Sequence, residues 1–130
     1  MNKQILLWIA GLLFCVPVLL AQDISGGVAA AFKKGSSEAL SLYLGDQVDL
    51  MIQNRPTKAN HQVAADTMEA FFTDHKVSGF NVNHQGKRDE SSFIIGTLNT
   101  ASGVFRVNCF FKKIESKYLI HQIRIDKTNE

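Results

Sequence analysis

The chain has 130 residues, a length that suits one domain preceded by a short targeting segment. Apolar residues make up 45% of it, and 14 basic residues stand against 12 acidic ones, which is an ordinary globular composition. The basic residues occur as scattered pairs, whereas a nucleic-acid-binding protein concentrates them in a stripe. Composition therefore favours a single globular domain and argues against nucleic acid as a partner.

The first 21 residues have the pattern of a signal peptide. Lys3 precedes an apolar run from Ile5 to Leu20, which is shorter than the roughly 20 apolar residues of a membrane span. We predict cleavage after Ala21, which leaves residues 22–130 as one domain in the periplasm or outside the cell. The alternative is an uncleaved leader that acts as a single anchor, which would be the only membrane contact.

Export would leave Cys109 as the only cysteine of the mature domain, because Cys15 lies in the leader. No internal disulfide could then form. Cys109 shares one face of a predicted strand with Phe105, Val107 and Phe111. We therefore expect a buried thiol that packs as a small apolar side chain.

Two short helices are predicted at the start of the domain. The first begins after a capping Asp23 and ends at Gly35, and the second begins at Ser36 and ends at Gly45. Their apolar stripes are Ile24, Val28 and Phe32 in the first helix, and Leu40, Tyr43 and Leu44 in the second.

A strand and a longer helix follow. The segment "DQVDLMIQ" alternates, with Val48, Leu50 and Ile52 on one face, and predicts a short strand. Pro56 in "NRPTK" is expected to end that strand. The longest helix is predicted from a capping Asn60 to His75, with an apolar stripe of Ala64, Met68, Phe71 and Phe72.

After Lys76, apolar residues recur at every second position instead of at the three- and four-residue spacing of the helices. Four such segments are joined by the short connectors "RDE", "NTASG" and "IESK", which predicts an antiparallel meander. In the first segment, Phe80, Val82 and His84 are expected on one face. The order helix, helix, strand, helix and four strands predicts an α+β fold in which helices cover one face of a curved antiparallel sheet.

This order of elements resembles the cone-shaped nuclear-transport-factor-2-like fold, of the cystatin-like type. The segments "IQNRPTKANHQVAADTMEAFF", "GTLNTASGVFRVNCFF" and "YLIHQIRI" resemble a family of small exported proteins from Bacteroidota, domain of unknown function 4783. The resemblance implies the fold and carries over no activity, because the wider superfamily includes enzymes, ligand carriers and interaction modules.

One histidine is a candidate site residue. His121 is expected on the same strand face as Leu119, Ile123 and Ile125, beneath the helices. A histidine at the edge of the core, bonded to backbone or to Tyr43, is the favoured interpretation. Contact with a ligand in a small cone near Tyr43 and His121 is the alternative.

The segment "QNRPTKANH" is a second candidate. Arg55, together with Lys58 and the free N–H groups at the start of the long helix, could receive an anion. A proline-initiated turn with solvated basic side chains is the simpler interpretation.

The opposite faces of the last two strands form the third candidate. A solvated sheet face rarely carries aromatic and aliphatic side chains together with arginine, whereas interface centres favour them. We expect this face to pack against a second copy; the alternative is a sheet curled enough to cover itself. The expected interface residues are Arg106, Asn108, Phe110, Tyr118, Ile120, Gln122 and Arg124.

These patterns predict a non-catalytic binding or assembly domain with a small apolar or anionic ligand. The alternative is a small isomerase, dehydratase or cyclase that uses His121 as a proton shuttle. Efficient histidine bases have an orienting partner, and the sequence offers no clear carboxylate on the inward strand faces. No metal-binding or cofactor motif is found, so we expect neither a metal nor a cofactor.

Overall fold

The structure, a computed structural model, describes residues 24–128. The predicted leader, its cleavage site and the predicted cap Asp23 lie outside the described residues. Between residues 24 and 128, no helix combines the length and apolar character needed to cross a membrane.

Two helices begin the described chain: α1, Ile24–Lys34, and α2, Ser37–Ser41. Gly35 has a φ of 63°, the left-handed conformation that ends helices at glycine. The Ser36 hydroxyl then accepts a hydrogen bond from the backbone N–H of Ala39 at 3.0 Å and caps α2. Both predicted caps are confirmed.

Helix α2 is shorter than predicted. Strand β1, Leu44–Ile52, begins where the sequence pattern continued the helix, so the prediction of a helical Tyr43 and Leu44 was wrong. The Tyr43 carbonyl accepts a hydrogen bond from the backbone N–H of Ile120 at 2.8 Å. Pairing with a distant strand therefore replaces a second helical turn.

The structure contains a strand that the sequence analysis missed: β2, Arg55–Asn60. Gln53 and Asn54 have φ values of 49° and 69°, as a two-residue hairpin turn requires. Pro56 lies opposite Met51 in the β1–β2 pair, and β2 is the edge strand of the sheet. A proline is tolerated at an edge. β1 ends before Pro56, as predicted, but the segment that contains Pro56 is a strand and not a proline-initiated turn.

Helix α3, His61–Asp74, matches the predicted long helix. The Asn60 side chain accepts a hydrogen bond from the backbone N–H of Val63 at 2.8 Å, which confirms the cap. The predicted apolar stripe is buried in full: Ala64, Met68, Phe71 and Phe72.

The four remaining strands are β3, Val77–Arg88; β4, Ser91–Thr100; β5, Gly103–Ile114; and β6, Lys117–Lys127. They pair antiparallel in sequence order, which confirms the meander. β1 pairs parallel with β6, so the six-stranded sheet has the order β2-β1-β6-β5-β4-β3.

The helices cover one face of this sheet, and the core lies between them. Phe32 of α1 stacks on Phe80 of β3, with ring centroids 5.2 Å apart. The other face carries no helix within residues 24–128. We call it the outer sheet face; cross-strand pairing places on it Asp49, Phe93, Ile95, Thr97, Arg106, Asn108, Phe110, Gln122, Arg124 and Asp126.

A register shift between Val82 and His84 changes the phase of β3. His84 lies opposite Ile95, on the outer sheet face, whereas Phe80 is buried in the core. The expectation that Phe80 and His84 share a face was wrong, because a bulge moves the following side chains to the other face.

Candidate functional site

His121 is the extra residue of a β-bulge in β6. Phe111 pairs with Ile120 and Phe110 pairs with Gln122, which leaves His121 without an opposite residue. The alternation of β6 therefore shifts by one position at this point. As a result Ile120 and Ile123, three residues apart, both face the helices and are both 0% exposed.

This bulge corrects three predictions. Leu119 does not share a face with Ile123, because the phase changes between them. Ile120 belongs to the core, and Tyr118 packs against the core, so neither lies on the outer sheet face. His121 itself is partly buried, and its ring nitrogens have no hydrogen-bond partner within residues 24–128.

Tyr43 packs against α1 and does not hydrogen-bond to His121. A Cβ atom built on Gly27 would lie 2.0 Å from the Tyr43 Oη, so the phenol lies directly over the glycine backbone. Tyr43 is partly buried against the core. Neither Tyr43 nor His121 lines the cavities of about 660 and 470 Å³ described below, so the predicted cone around them stays a prediction.

The outer sheet face has an apolar centre. Phe93, Ile95 and Phe110 are each partly exposed, and the Phe93 and Phe110 ring centroids are 6.5 Å apart. Five of the predicted interface residues do lie on this face: Arg106, Asn108, Phe110, Gln122 and Arg124. Their contact with a partner stays a prediction.

Polar groups surround that centre. The Arg124 Nε donates to Asp126 Oδ2 at 2.8 Å, which is the one ion pair among residues 24–128. Asn108 lies between Arg124 and Ile95 on neighbouring strands, and its Oδ1 is buried without a hydrogen-bond partner. An unpaired buried acceptor costs about 1–3 kcal/mol.

Arg55 lies away from the start of α3, where the sequence analysis expected an anion. It is at the turn end of β2 and lines a cavity of about 470 Å³ with Asp74 and His75, from the C-terminal end of α3. Since Asn60, at the other end of β2, begins the helix, the pairing of Arg55 with the α3 N-terminus was wrong. His75 hydrogen-bonds through Nδ1 to Ser102 Oγ.

A larger cavity of about 660 Å³ lies between the start of α1 and one end of the sheet. Lys87 of β3 and Tyr118 of β6 are at its rim, and the Lys87 Nζ lies 4.9 Å from the centroid of the Tyr118 ring. We call it the Lys87 cavity; its lining is Ile24, Ser25, Gly26, Gln85, Gly86, Lys87, Ser92, Phe111 and Tyr118.

This cavity was not predicted from the sequence, because simple alternation along β6 predicts Tyr118 on the outer sheet face. A signal was present in "YLIHQIRI": Tyr118 and Ile120 follow one alternation, and Ile123 and Ile125 follow the other. A single strand can hold both pairs on one face only if it contains a bulge.

Cys109 is 1% exposed, as predicted, and burial raises the pKa of its thiol far above the ordinary value. A thiol of this kind is a poor nucleophile, since the thiolate is the reactive form. Residues 24–128 place no group of three or more histidine, cysteine, aspartate or glutamate side chains where they could hold a metal ion.

A model of the family described as domain of unknown function (DUF4783) matches residues 25–126. No curated protein matches the chain.

Solved structures give the same relationship. A DUF4783 family protein from Bacteroides uniformis ATCC 8492 is 64% identical, with a TM-score of 0.81 over 82% of this chain and 99% of that chain. A DUF4783 family protein from Bacteroides ovatus ATCC 8483 is also 64% identical, with a TM-score of 0.81 over 84% and 99% of the two chains.

A more distant structure shows the fold. The NTF2-like protein of unknown function from Shewanella baltica OS155 is 13% identical, with a TM-score of 0.62 over 89% of this chain and 98% of that chain. The predicted nuclear-transport-factor-2-like α+β fold is therefore confirmed.

Proposed function

The chain belongs to the domain of unknown function 4783 family, and we propose that it is an exported, non-catalytic binding or assembly domain that forms a dimer through its outer sheet face. The observation that carries this proposal is the uncovered apolar centre of that face, where Ile95 and Phe110 are flanked by Arg106 and Arg124. Interface centres have this composition, and solvated sheet faces rarely do.

A second copy fits the charges of the face. Arg106 and Arg124 lie toward its centre, and Asp49 and Asp126 lie on the same face. In a two-fold arrangement each contact occurs twice, so arginines of one copy can pair with aspartates of the other. A face with charges of one sign would repel its own copy.

The size of the face also suits a stable dimer. Strands of about ten residues span roughly 33 Å, and six strands about 4.8 Å apart span roughly 24 Å. The product is on the order of 800 Å², which is about what each partner buries in a standard interface. Asn108, whose Oδ1 has no partner, lies in the middle of this area.

The non-catalytic part of the proposal draws support from the core. No polar or charged side chain of residues 24–128 is buried in it, whereas catalytic acids and bases owe their shifted pKa values to burial beside charged partners. His121 lines neither the Lys87 cavity nor the cavity that Arg55 lines with Asp74 and His75. The isomerase alternative therefore gains no support from the geometry around His121.

Sedimentation equilibrium tests the dimer. We expect the purified protein to sediment as a dimer at micromolar concentration, and Phe110→Asp or Ile95→Asp to sediment as a monomer with an unchanged circular dichroism spectrum. Leu42→Asp is the matched control, because Leu42 is 76% exposed and lies outside the face. A monomeric parent protein at several hundred micromolar, or a dimeric Phe110→Asp, would contradict the proposal.

Export has its own test. The proposal requires that the protein recovered from the producing bacterium begins at Gln22, which intact-mass spectrometry reads directly. A chain that keeps Met1 and is recovered with the membrane fraction would support the anchored alternative instead.

A further inference from the structure

Among residues 24–128, the lining of the Lys87 cavity has one charged side chain, and that side chain is a cation. Of the nine residues that line it, only Lys87 carries a formal charge. Lys87 has no carboxylate within 4.0 Å among residues 24–128, where the ion pair between Arg124 and Asp126 stands alone. The Tyr118 ring, 4.9 Å from the Lys87 Nζ, holds the ammonium at the rim by a cation–π contact.

A second lysine adds to the positive charge. Lys113 lies directly opposite Tyr118 in the β5–β6 pair. Directly opposite residues point to the same face of a sheet, so Lys113 and Tyr118 are both on the helix-covered side. Lys113 is therefore a second cation on the side of the sheet that carries the Lys87 cavity.

Hydrogen-bond donors line the cavity beside these lysines. Ser25, Ser92 and Tyr118 contribute hydroxyl groups, and Gln85 contributes an amide. The side-chain hydrogen bonds among residues 24–128 involve none of these four side chains, so their donors are available. Phe111 and Ile24 supply apolar surface.

We propose that the Lys87 cavity binds a small organic anion, namely a carboxylate with an apolar body. Lys87 and the neighbouring hydroxyl groups would receive the carboxylate, and Phe111, Ile24 and the Tyr118 ring would contact the apolar part. The volume of about 660 Å³ falls in the usual range for small-molecule sites, roughly 300–1,000 Å³.

This site is independent of the proposed dimer. Its lining faces α1, whereas the proposed interface is on the opposite face of the sheet. A monomeric variant such as Phe110→Asp therefore keeps the cavity, and binding measured in that variant separates the failure of one proposal from the failure of the other.

Titration with octanoate tests the proposal, with octan-1-ol and octylammonium as neutral and cationic probes of the same chain length. Isothermal calorimetry gives the affinity, and amide NMR shifts locate the site. Octanoate is expected to bind with a Kd on the order of 0.1–1 mM, at about 0.5 kcal/mol per non-hydrogen atom. The largest shifts are expected at Gly26, Gly86 and Ser92.

Substitutions decide whether Lys87 is the anchor. Lys87→Gln should weaken octanoate binding by about tenfold or more, since hydrogen bonds to charged groups are the strong ones. Lys87→Arg should restore most of the affinity. Lys58→Gln is the matched control, because it removes a charge from the exposed edge strand β2 and should leave binding unchanged.

Several results would overturn the proposal. Octylammonium that binds as tightly as octanoate would show that charge does not select the ligand. An unchanged affinity in Lys87→Gln, shifts centred outside the cavity, or no octanoate binding at 10 mM probe would each show that the cavity is not a carboxylate site.

Discussion

Gly96 of β4 is expected to be a position where one added methyl group destabilises the fold. It pairs with Val107 and Val82 in the middle of the sheet. A Cβ atom built there would lie 2.4 Å from the Phe80 Cζ and 2.7 Å from the carbonyl oxygen of Asn81. Ordinary carbon contacts are about 3.5–4.0 Å, so both groups would have to move.

Neither group can move freely. Phe80 is 8% exposed and stacks on Phe32, and the Asn81 carbonyl belongs to the strand backbone. Overpacking of this kind costs about 1–3 kcal/mol. Gly→Ala also lowers the conformational entropy of the unfolded chain, and this effect raises the free energy of unfolding by about 0.4–1 kcal/mol. Gly96→Ala should therefore lower the free energy of unfolding by about 1–2 kcal/mol.

Gly79 provides the matched control within the same sheet. A Cβ atom there would meet its nearest neighbour, the Asn99 Nδ2, only at 3.9 Å. Gly79→Ala makes no such close contact and only restricts the unfolded chain, so it should raise the free energy of unfolding by about 0.4–1 kcal/mol. The two variants should thus differ by about 1–3 kcal/mol, the cost of the contact at Gly96.

Urea unfolding followed by far-ultraviolet circular dichroism measures this difference. Tryptophan fluorescence does not serve, because the single tryptophan, Trp8, lies in the predicted leader. In a Phe80→Ala background the cost of Gly96→Ala should shrink to the part set by the Asn81 carbonyl. Equal stabilities of Gly96→Ala and Gly79→Ala, within about 0.5 kcal/mol, would refute the reasoning.

Three further outcomes are expected. Because burial raises the pKa of Cys109, the folded state keeps a thiol proton that the unfolded chain loses above about pH 8.5. The free energy of unfolding should therefore fall above that pH by up to about 1.4 kcal/mol per pH unit. Urea unfolding at pH 8–10 should show this component in the parent protein and not in Cys109→Ala. Asn60→Ala should cost about 1 kcal/mol through the lost α3 cap, whereas Asn81→Ala, at an exposed strand position, should be neutral in thermal unfolding. In the monomeric Phe110→Asp background, Asn108→Val should leave stability unchanged or raise it by about 1 kcal/mol; a loss of that size would show that the Asn108 amide is satisfied.

The structural relatives share the fold of this chain, and a shared fold does not specify a function. The proposed dimer and the proposed carboxylate site use opposite faces of one sheet, so they can be tested separately.

Local sequence was enough to determine the helices and the meander. The caps at Ser36 and Asn60 and the end of α1 at Gly35 depend on contacts within five residues, and such contacts are visible as short motifs. The alternation of β3 to β6 and their short connectors likewise predicted antiparallel neighbours. The burial of Cys109 followed from the same alternation.

Tertiary structure decided what depends on distant pairing. β2 forms as an edge strand because it hydrogen-bonds to β1. β6 lies inside the sheet because β1 pairs with the edge of β6 that β5 leaves free. The bulge at His121 then turns Tyr118 and Ile120 toward the helices, which creates the rim of the Lys87 cavity. One unpaired residue reverses the face of every side chain beyond it, so an error of a single position moved the candidate site from one face of the sheet to the other.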